Sequence, residues 1–338
     1  DKIDYVIANC AECEPLLKLH RQVLAKYANE ILATLTVIAD AVEADNIIIA
    51  VKPHYKEAVD AVKANLASYP KARIGLLPEV YPAGDEVVTI YETTGRVVKP
   101  GALPITVGVT VFNVETVYNI YRALHEAAPV TDKYITITGA VKNPVTLKAP
   151  LGCTYGELIA LAGGATVSDY KLVGGGPMTG RIVSESDVVT KTSNAIIVLP
   201  ADHYVIRKKS ASIKIDMKRA MAACCQCNYC TDLCPRHLLG YPITPHEFMR
   251  VVSNHTPSDI KPMIDGMFCS GCGLCEAFSC GQGLSPRMLL DAFKGQLRAA
   301  GVQPPKDIPL RDVSPAVELR GVPVKRLTAR LGLTKYNK

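Results

Sequence analysis

The chain has 338 residues, 48% of them hydrophobic and 21% charged, with a net charge of +6. That length predicts two or three domains with substantial apolar cores, and no run of about 18 apolar residues is present to span a membrane. The basic surplus is scattered, with small clusters such as those at residues 207–209 and 325–326, which argues against nucleic-acid binding.

The chain opens at Asp1 without a methionine and runs at once into an apolar strand at residues 3–8, as a piece of a longer protein would. The polar loop Asn9-Cys10-Ala11-Glu12-Cys13-Glu14-Pro15 follows, the place where an α/β domain sets ligand chemistry. Apolar residues in helical spacing predict a helix over 23–43. Strands at 46–51 and 72–77 then flank a helix at 55–66, which is the βαβ alternation of a parallel sheet. The turn Tyr81-Pro82-Ala83-Gly84-Asp85-Glu86 leads into another helix. A further apolar run at 105–112 ends at Asn113-Val114-Glu115-Thr116, which opens a helix to about residue 127. No loop carries G-x-G-x-x-G, so the ordinary dinucleotide fingerprint is absent.

After Pro129 the period changes to that of strands. Residues 134–138 and 145–148 read as a hairpin, followed by a short helix at 154–162 and strands near 170–173 and 195–199. This predicts a compact α+β module. Gly174-Gly175-Gly176-Pro177 reads as a tight turn. Thr244-Pro245-His246-Glu247 is a capping box starting a helix to about residue 252, and Ser285 is expected to cap a helix over 286–300. The tail from 303 to 338, rich in proline and charge, is expected to lie as a strap over the body.

Eight of the twelve cysteines fall into two runs between residues 224 and 280. Cys224, Cys227, Cys230 and Cys234 make C-x2-C-x2-C-x3-C-P. Cys269, Cys272, Cys275 and Cys280 repeat it with one extra residue before the last. Zinc sites instead pair C-x2-C units across a longer loop, and disulfides do not suit a thiol-rich chain in a reducing cytosol. The first spacing is that of two-cluster ferredoxins, in which the fourth cysteine of each run ligates the other cluster. Crossed ligation puts Cys224, Cys227, Cys230 and Cys280 on one [4Fe-4S] cluster, and Cys234, Cys269, Cys272 and Cys275 on the second. Cys225 then reads as a bystander and Cys153 as a small buried apolar residue. Cys10 and Cys13 have dithiol spacing, but Pro15 and two acids follow them in place of a helix start. His237 and His246 flank the first run and read as structural.

Taken together, the Asn9–Pro15, Tyr81–Glu86 and Asn113–Thr116 stretches, Gly174-Gly175-Gly176-Pro177-Met178, Val189-Thr190-Lys191-Thr192 and both cysteine runs resemble one family over nearly the whole chain. It is that of the cobalamin reductases of propanediol-utilisation microcompartments. More broadly the chain is similar to the C subunit of the Rnf complex and to the flavin-bearing, NADH-oxidising subunit of complex I. Cys234-Pro235-Arg236-His237-Leu238, Val322-Pro323-Val324-Lys325-Arg326-Leu327 and the altered spacing at Cys280 favour the microcompartment branch.

The resemblance implies a multidomain α/β plus α+β fold. A Rossmann-like FMN/NADH domain would cover 1–128, an SLBB β-grasp domain 129–205, a helical ferredoxin-like domain with two [4Fe-4S] clusters 206–302, and the tail 303–338. It implies that Asn9, Glu12 and Glu14, Tyr81, Gly84 and Glu86, and Asn113 and Thr116 bind FMN and NADH. It also implies that the family's glycine-rich phosphate loop precedes Asp1. The expected activity is electron transfer from NADH through FMN and the two clusters to cobalamin. The same relay feeding quinone, ferredoxin or a partner reductase is the second reading, and a flavin-less wiring or scaffold subunit the third. An adenosyltransferase and microcompartment shell proteins are the implied partners, with the chain cytoplasmic and inside the compartment; an oligomer is compatible with all of this.

Overall fold

The computed structural model describes residues 2–254, 259–306 and 308–337. Three consecutive isoleucines, Ile47 to Ile49, sit wholly buried in one strand. A strand apolar on both faces must be covered on both faces, which is the situation of a parallel sheet. That sheet has the order β3-β2-β1-β5, all parallel. Its strands are β1 (Tyr5–Asn9), β2 (Asn46–Val51), β3 (Ala72–Leu76) and β5 (Val109–Asn113), and the short β4 (Val80–Tyr81) lies outside it. Helices α1 (Leu19–Lys26), α2 (Ala28–Ala41), α3 (Lys56–Asn65) and α5 (Val114–Glu126) cover one face. The other face packs on α4 (Glu86–Thr94) and on residues of the cysteine-bearing region.

The helix expected over 23–43 is two helices, broken at Tyr27. Tyr27 leaves helical geometry at φ −126° because its ring is claimed elsewhere: it stacks on Tyr118 at 3.9 Å and its hydroxyl bonds that of Tyr134 at 2.8 Å. Tertiary contacts here override a continuous helical pattern.

The second module is a mixed sheet of order β7-β6-β10-β8-β9. Its strands are β6 (Asp132–Gly139), β7 (Val145–Pro150), β8 (Tyr170–Gly174), β9 (Arg181–Val183) and β10 (Ala195–Pro200), with α6 (Tyr155–Leu161) on its buried face. Thr154 and Glu157 close a capping box on α6. The module is tied to α5 by Arg122, bidentate on Asp132 at 2.9 and 3.1 Å, and by the buried Lys133–Glu115 pair.

Short helices follow: α7 (Tyr204–Lys209), α8 (Ile213–Ala223), α9 (Tyr229–Asp232), α10 (Pro235–Leu238), α11 (Pro245–Asn254), α12 (Lys261–Asp265) and α13 (Pro286–Ala299). Ser285 does not cap α13 with its side chain; its hydroxyl accepts from Lys208 Nζ at 3.0 Å. The cap comes from Glu276, whose Oε2 accepts from the Met288 N–H at 3.1 Å. In the tail, β11 (Val322–Pro323) pairs antiparallel with β4, and α14 (Val324–Arg330) follows. The tail thus straps down the loop that contains Tyr81. Among the described residues no helix is long and apolar enough to cross a membrane.

Candidate functional site

Three loops meet beyond the C-terminal ends of β1 and β5. Strand order reverses between these neighbours, and an open α/β sheet has its crevice at such a point. The Asn9 amide fastens the first loop to the second, donating to the Gly84 carbonyl at 2.9 Å while its Oδ1 accepts from Ala11 N–H at 3.1 Å. Gly84 permits the approach, since a Cβ there would stand 3.0 Å from the Ala11 carbonyl oxygen and 3.2 Å from Cys13 Sγ. Asn113 joins the third loop to the first. Its Oδ1 caps α5 on the Glu115 N–H at 2.9 Å, which turns Nδ2 toward His20 Nε2 at 3.1 Å. With the amide as donor, Nε2 is the acceptor and the ring proton is on Nδ1. That Nδ1 is buried and makes no hydrogen bond. Burial holds the ring's pKa down at about 4, against the opposing pull of the Ala11 backbone. His20 is therefore neutral and carries an unspent donor.

The two acids of the first loop have internal tasks. Glu12 is buried; its oxygens accept from the Leu19 and His20 N–H groups at 3.0 and 3.1 Å, at the start of α1. Burial lifts its carboxyl to about 7 in spite of those bonds and of Arg21. Glu14 reaches across to the second module, accepting from Met178 N–H at 2.9 Å, Thr179 N–H at 2.8 Å and the Thr179 hydroxyl at 2.6 Å. Gly176 is glycine for this reason: a Cβ would lie 2.1 Å from Glu14 Cδ. Glu86, in the first turn of α4, and Thr116 are both exposed. Lys52, unmarked by any sequence pattern, is fully buried at the end of β2. Its ammonium reaches the Val80 carbonyl at 3.3 Å, near Cys13, Glu79 and Glu12. Cys10 and Cys13 are both pushed up by burial, the state of inert thiols.

The eight cysteines of the two runs gather in two sets. Cys224, Cys227, Cys230 and Cys280 line one cavity of about 440 Å³, together with Cys225, His246 and Phe278. Cys234, Cys269, Cys272 and Cys275 line a second of about 20 Å³. Each set takes three cysteines from one run and the fourth from the other. Burial, reinforced by Cys227, Cys224 and Cys280, pushes the Cys230 thiol up to about 12. Burial with Cys269 beside it does the same to Cys234. Thiols held protonated in this way become thiolates when cationic iron neutralises them, so loading releases protons. Among the described residues no three His, Cys, Asp or Glu side chains close on a point as a single ion's ligands do. The first cage has both the donors and the room for a cluster; the second has the donors and is closed down.

N–H groups point at the sulfurs. Gly271 N–H donates to Cys269 Sγ at 3.3 Å, Leu284 N–H to Cys280 Sγ at 3.4 Å, and the Gln226 amide to Cys224 Sγ at 3.2 Å. Such bonds raise a cluster's reduction potential. The extra residue before Cys280 is absorbed by a π-helical turn at Cys275–Ser279. This turn carries Glu276, which pairs with Arg287 at 2.8 Å.

The second cage abuts the loops. The Tyr81 hydroxyl donates to the Cys272 carbonyl at 2.6 Å. Arg236, two residues past Cys234, forks onto Asp85 at 2.9 and 3.0 Å, and Asp85 is also the cap of α4. These inter-domain partners leave no mark in the sequence, because Asp85 and Arg236 are 151 residues apart.

Three family models match: the Nuo51 FMN-binding domain over residues 1–122, the SLBB domain over 134–182 and the 4Fe-4S dicluster domain over 223–285. The chain is 40% identical over 336 residues to the cobalamin reductase PduS of Salmonella typhimurium and to that of Citrobacter freundii, covering 99% of this chain and 74% of each relative. It is 31% identical over 239 residues to the C subunit of the Na(+)-translocating ferredoxin:NAD(+) oxidoreductase complex of Acetobacterium woodii, covering 70% of this chain and 51% of that one. In fold it is similar to a chain of the NAD+-reducing [NiFe]-hydrogenase, with TM-scores of 0.54 in the H2-reduced state and 0.56 in the air-oxidised state at 19% identity. It spans 58% and 60% of those hydrogenase chains, which cover 91% and 99% of it.

Proposed function

We propose that this chain, which belongs to the family of the cobalamin reductase PduS, takes electrons from NADH at the three-loop crevice and hands them singly through two clusters to cob(III)alamin or cob(II)alamin. The chain is an oxidoreductase with an FMN-binding domain and a 4Fe-4S dicluster domain; the donor, the acceptor and the ligand sets are our reading. What carries it is the gathering of the eight cysteines into two sets, one of them against the loops of the flavin domain.

FMN, when bound, supplies the conversion of a two-electron hydride into single electrons, which clusters alone cannot make. The residues at the crevice suit that group. The His20 Nδ1–H is a buried donor without an acceptor, and Glu86 and Thr116 offer exposed polar groups at the loops' rim. Asn9 and Asn113 orient the loops by their amides, Glu12 holds the start of α1, and Glu14 holds the second module beside the crevice. Tyr81 and Gly84 keep the second loop against both the first loop and the second cage. Cys224, Cys227, Cys230 and Cys280 would hold one [4Fe-4S] cluster; Cys234, Cys269, Cys272 and Cys275 would hold the other.

Membership of that family supports a propanediol microcompartment as the setting, and we take adenosyltransferase and shell proteins as the chain's partners there. Anaerobic reconstitution should give about eight iron and eight sulfide per chain, with NADH bleaching first flavin and then cluster absorbance. Stoichiometric zinc, or iron for a single cluster, would end the two-cluster reading. Turnover with cob(III)alamin, set beside quinone and ferredoxin, tests the acceptor.

A further inference from the structure

The two cages do not occupy equivalent places. The second set is embedded. Cys234 and Cys269 pack on the apolar cluster that includes Ala11, Ala83 and Val87 of the flavin domain, Cys269 touching the helical core as well, and Cys272 packs on the cluster that includes Leu16, Tyr81 and Met178. Tyr81 and the Arg236–Asp85 pair clamp it to the second loop from either side. Of the first set, Cys224 and Cys280 pack on the helical core that includes Phe248, Met249 and Leu284, and neither reaches the flavin domain's clusters. Its outer wall is open. Cys225 and Cys227 are exposed, as is every residue from 225 to 229, with Tyr229 53% and nearby Met221 40% accessible.

From this asymmetry, and resting on the relay reading above, we infer a fixed direction through the chain. Electrons enter at the cage of Cys234, Cys269, Cys272 and Cys275 and leave from the cage of Cys224, Cys227, Cys230 and Cys280, across the surface around Gln226, Asn228 and Tyr229. The balance is simple. NADH becomes NAD+ with release of two electrons and a proton, and the two electrons cross the cages one after the other. Two one-electron acceptors are then reduced per NADH, for example two cob(III)alamin to two cob(II)alamin. The crossed cysteines gain a purpose in this order. Cys234 and Cys280 each anchor one run's backbone to the other run's cluster, so the short peptide from Cys230 to Cys234 spans the two cages. Tyr81 is a positioning residue, holding the crevice against the entry cage through the Cys272 carbonyl.

The experiment compares Cys227→Ala and Cys272→Ala in reconstituted full-length chain by freeze-quench EPR after mixing with NADH, with dithionite as the control reductant. In Cys227→Ala the remaining cluster should still fill from NADH, while reduction of an external acceptor falls at least tenfold. In Cys272→Ala the remaining cluster should fill from dithionite but at least tenfold more slowly from NADH. The opposite pattern, or equal filling from NADH in both variants, overturns the order. Flavin bleaching in the unmodified chain is read in the same samples, and its absence would count against the relay reading itself. Should either variant fail to assemble, Cys227→Asp retains a donor and shifts that cluster's EPR signal. A soluble dysprosium chelate must then shorten the relaxation of the shifted signal and not of the other; the reverse, or equal shortening of both, refutes the exposed exit.

Discussion

Replacing Arg236 by methionine should unlatch the flavin loop from the cluster module. The Arg236 guanidinium is largely buried and lies 2.9 Å from one Asp85 oxygen and 3.0 Å from the other, and it also donates to the Tyr241 hydroxyl at 3.1 Å. Two opposite charges about 3 Å apart attract by roughly 5 kcal/mol at an effective dielectric of about 20. Desolvation of both groups offsets much of this, but removing one partner leaves the other charge buried, at about 3–5 kcal/mol. Asp85 keeps two backbone donors, Val87 N–H at 3.1 Å and Val88 N–H at 3.3 Å, so the lower figure, about 3 kcal/mol, applies to Arg236→Met. Asp85→Asn keeps the α4 cap, since asparagine caps as well as aspartate, and removes the charge. The double variant should then lose about 2 kcal/mol less than the sum of the singles. Anaerobic urea titration of the loaded chain and its three variants, read as midpoint shifts, measures this. Strict additivity would refute the claim that the pair acts as a unit across the domain boundary.

Three further outcomes follow from the same geometry. Glu12 binds its proton more tightly folded than unfolded, so its contribution to stability is full below about pH 4 and is lost as pH rises through about 7; the span is on the order of 3 kcal/mol. Glu12→Gln, which cannot ionise, should flatten the stability profile between those limits, and an unchanged slope in a pH series of melts would contradict the assignment. Gly176→Ala should drive the Glu14 carboxylate off Met178 and Thr179, lowering stability by about 2–4 kcal/mol for three charge-assisted bonds. The loss should shrink in a Glu14→Ala background, which differential scanning calorimetry of the four chains can check. Cys280→Ser should disturb the EPR signal of the cluster held by Cys224, Cys227 and Cys230; a change confined to the other signal would exclude crossed ligation.

The elements that rest on local pattern were legible in the order of residues. The strand–helix–strand alternation over residues 46–77 foretold a parallel sheet, the polar loops at Asn9 and Asn113 marked strand ends, and cysteine spacing named the cluster type. These are short-range rules of period, capping and ligand reach, and a chain carries them in its order of residues. The internal hydrogen bonds of the polar residues emerge only from the packed chain. Glu12 and Glu14, which the family resemblance assigns to FMN and NADH, also hold a helix start and an inter-module tie. Ser285 yields its cap to Glu276, and Tyr27 breaks a helix for the sake of two other tyrosines. His20, Lys52 and the Asp85–Arg236 pair had no signal at all. A hydrogen bond between groups over a hundred residues apart leaves no periodicity behind, and a buried charge is recognisable only once its burial is known. The unequal burial of the two cages is of this kind: two near-identical cysteine runs acquire different ends of an electron path only from what the fold packs against each.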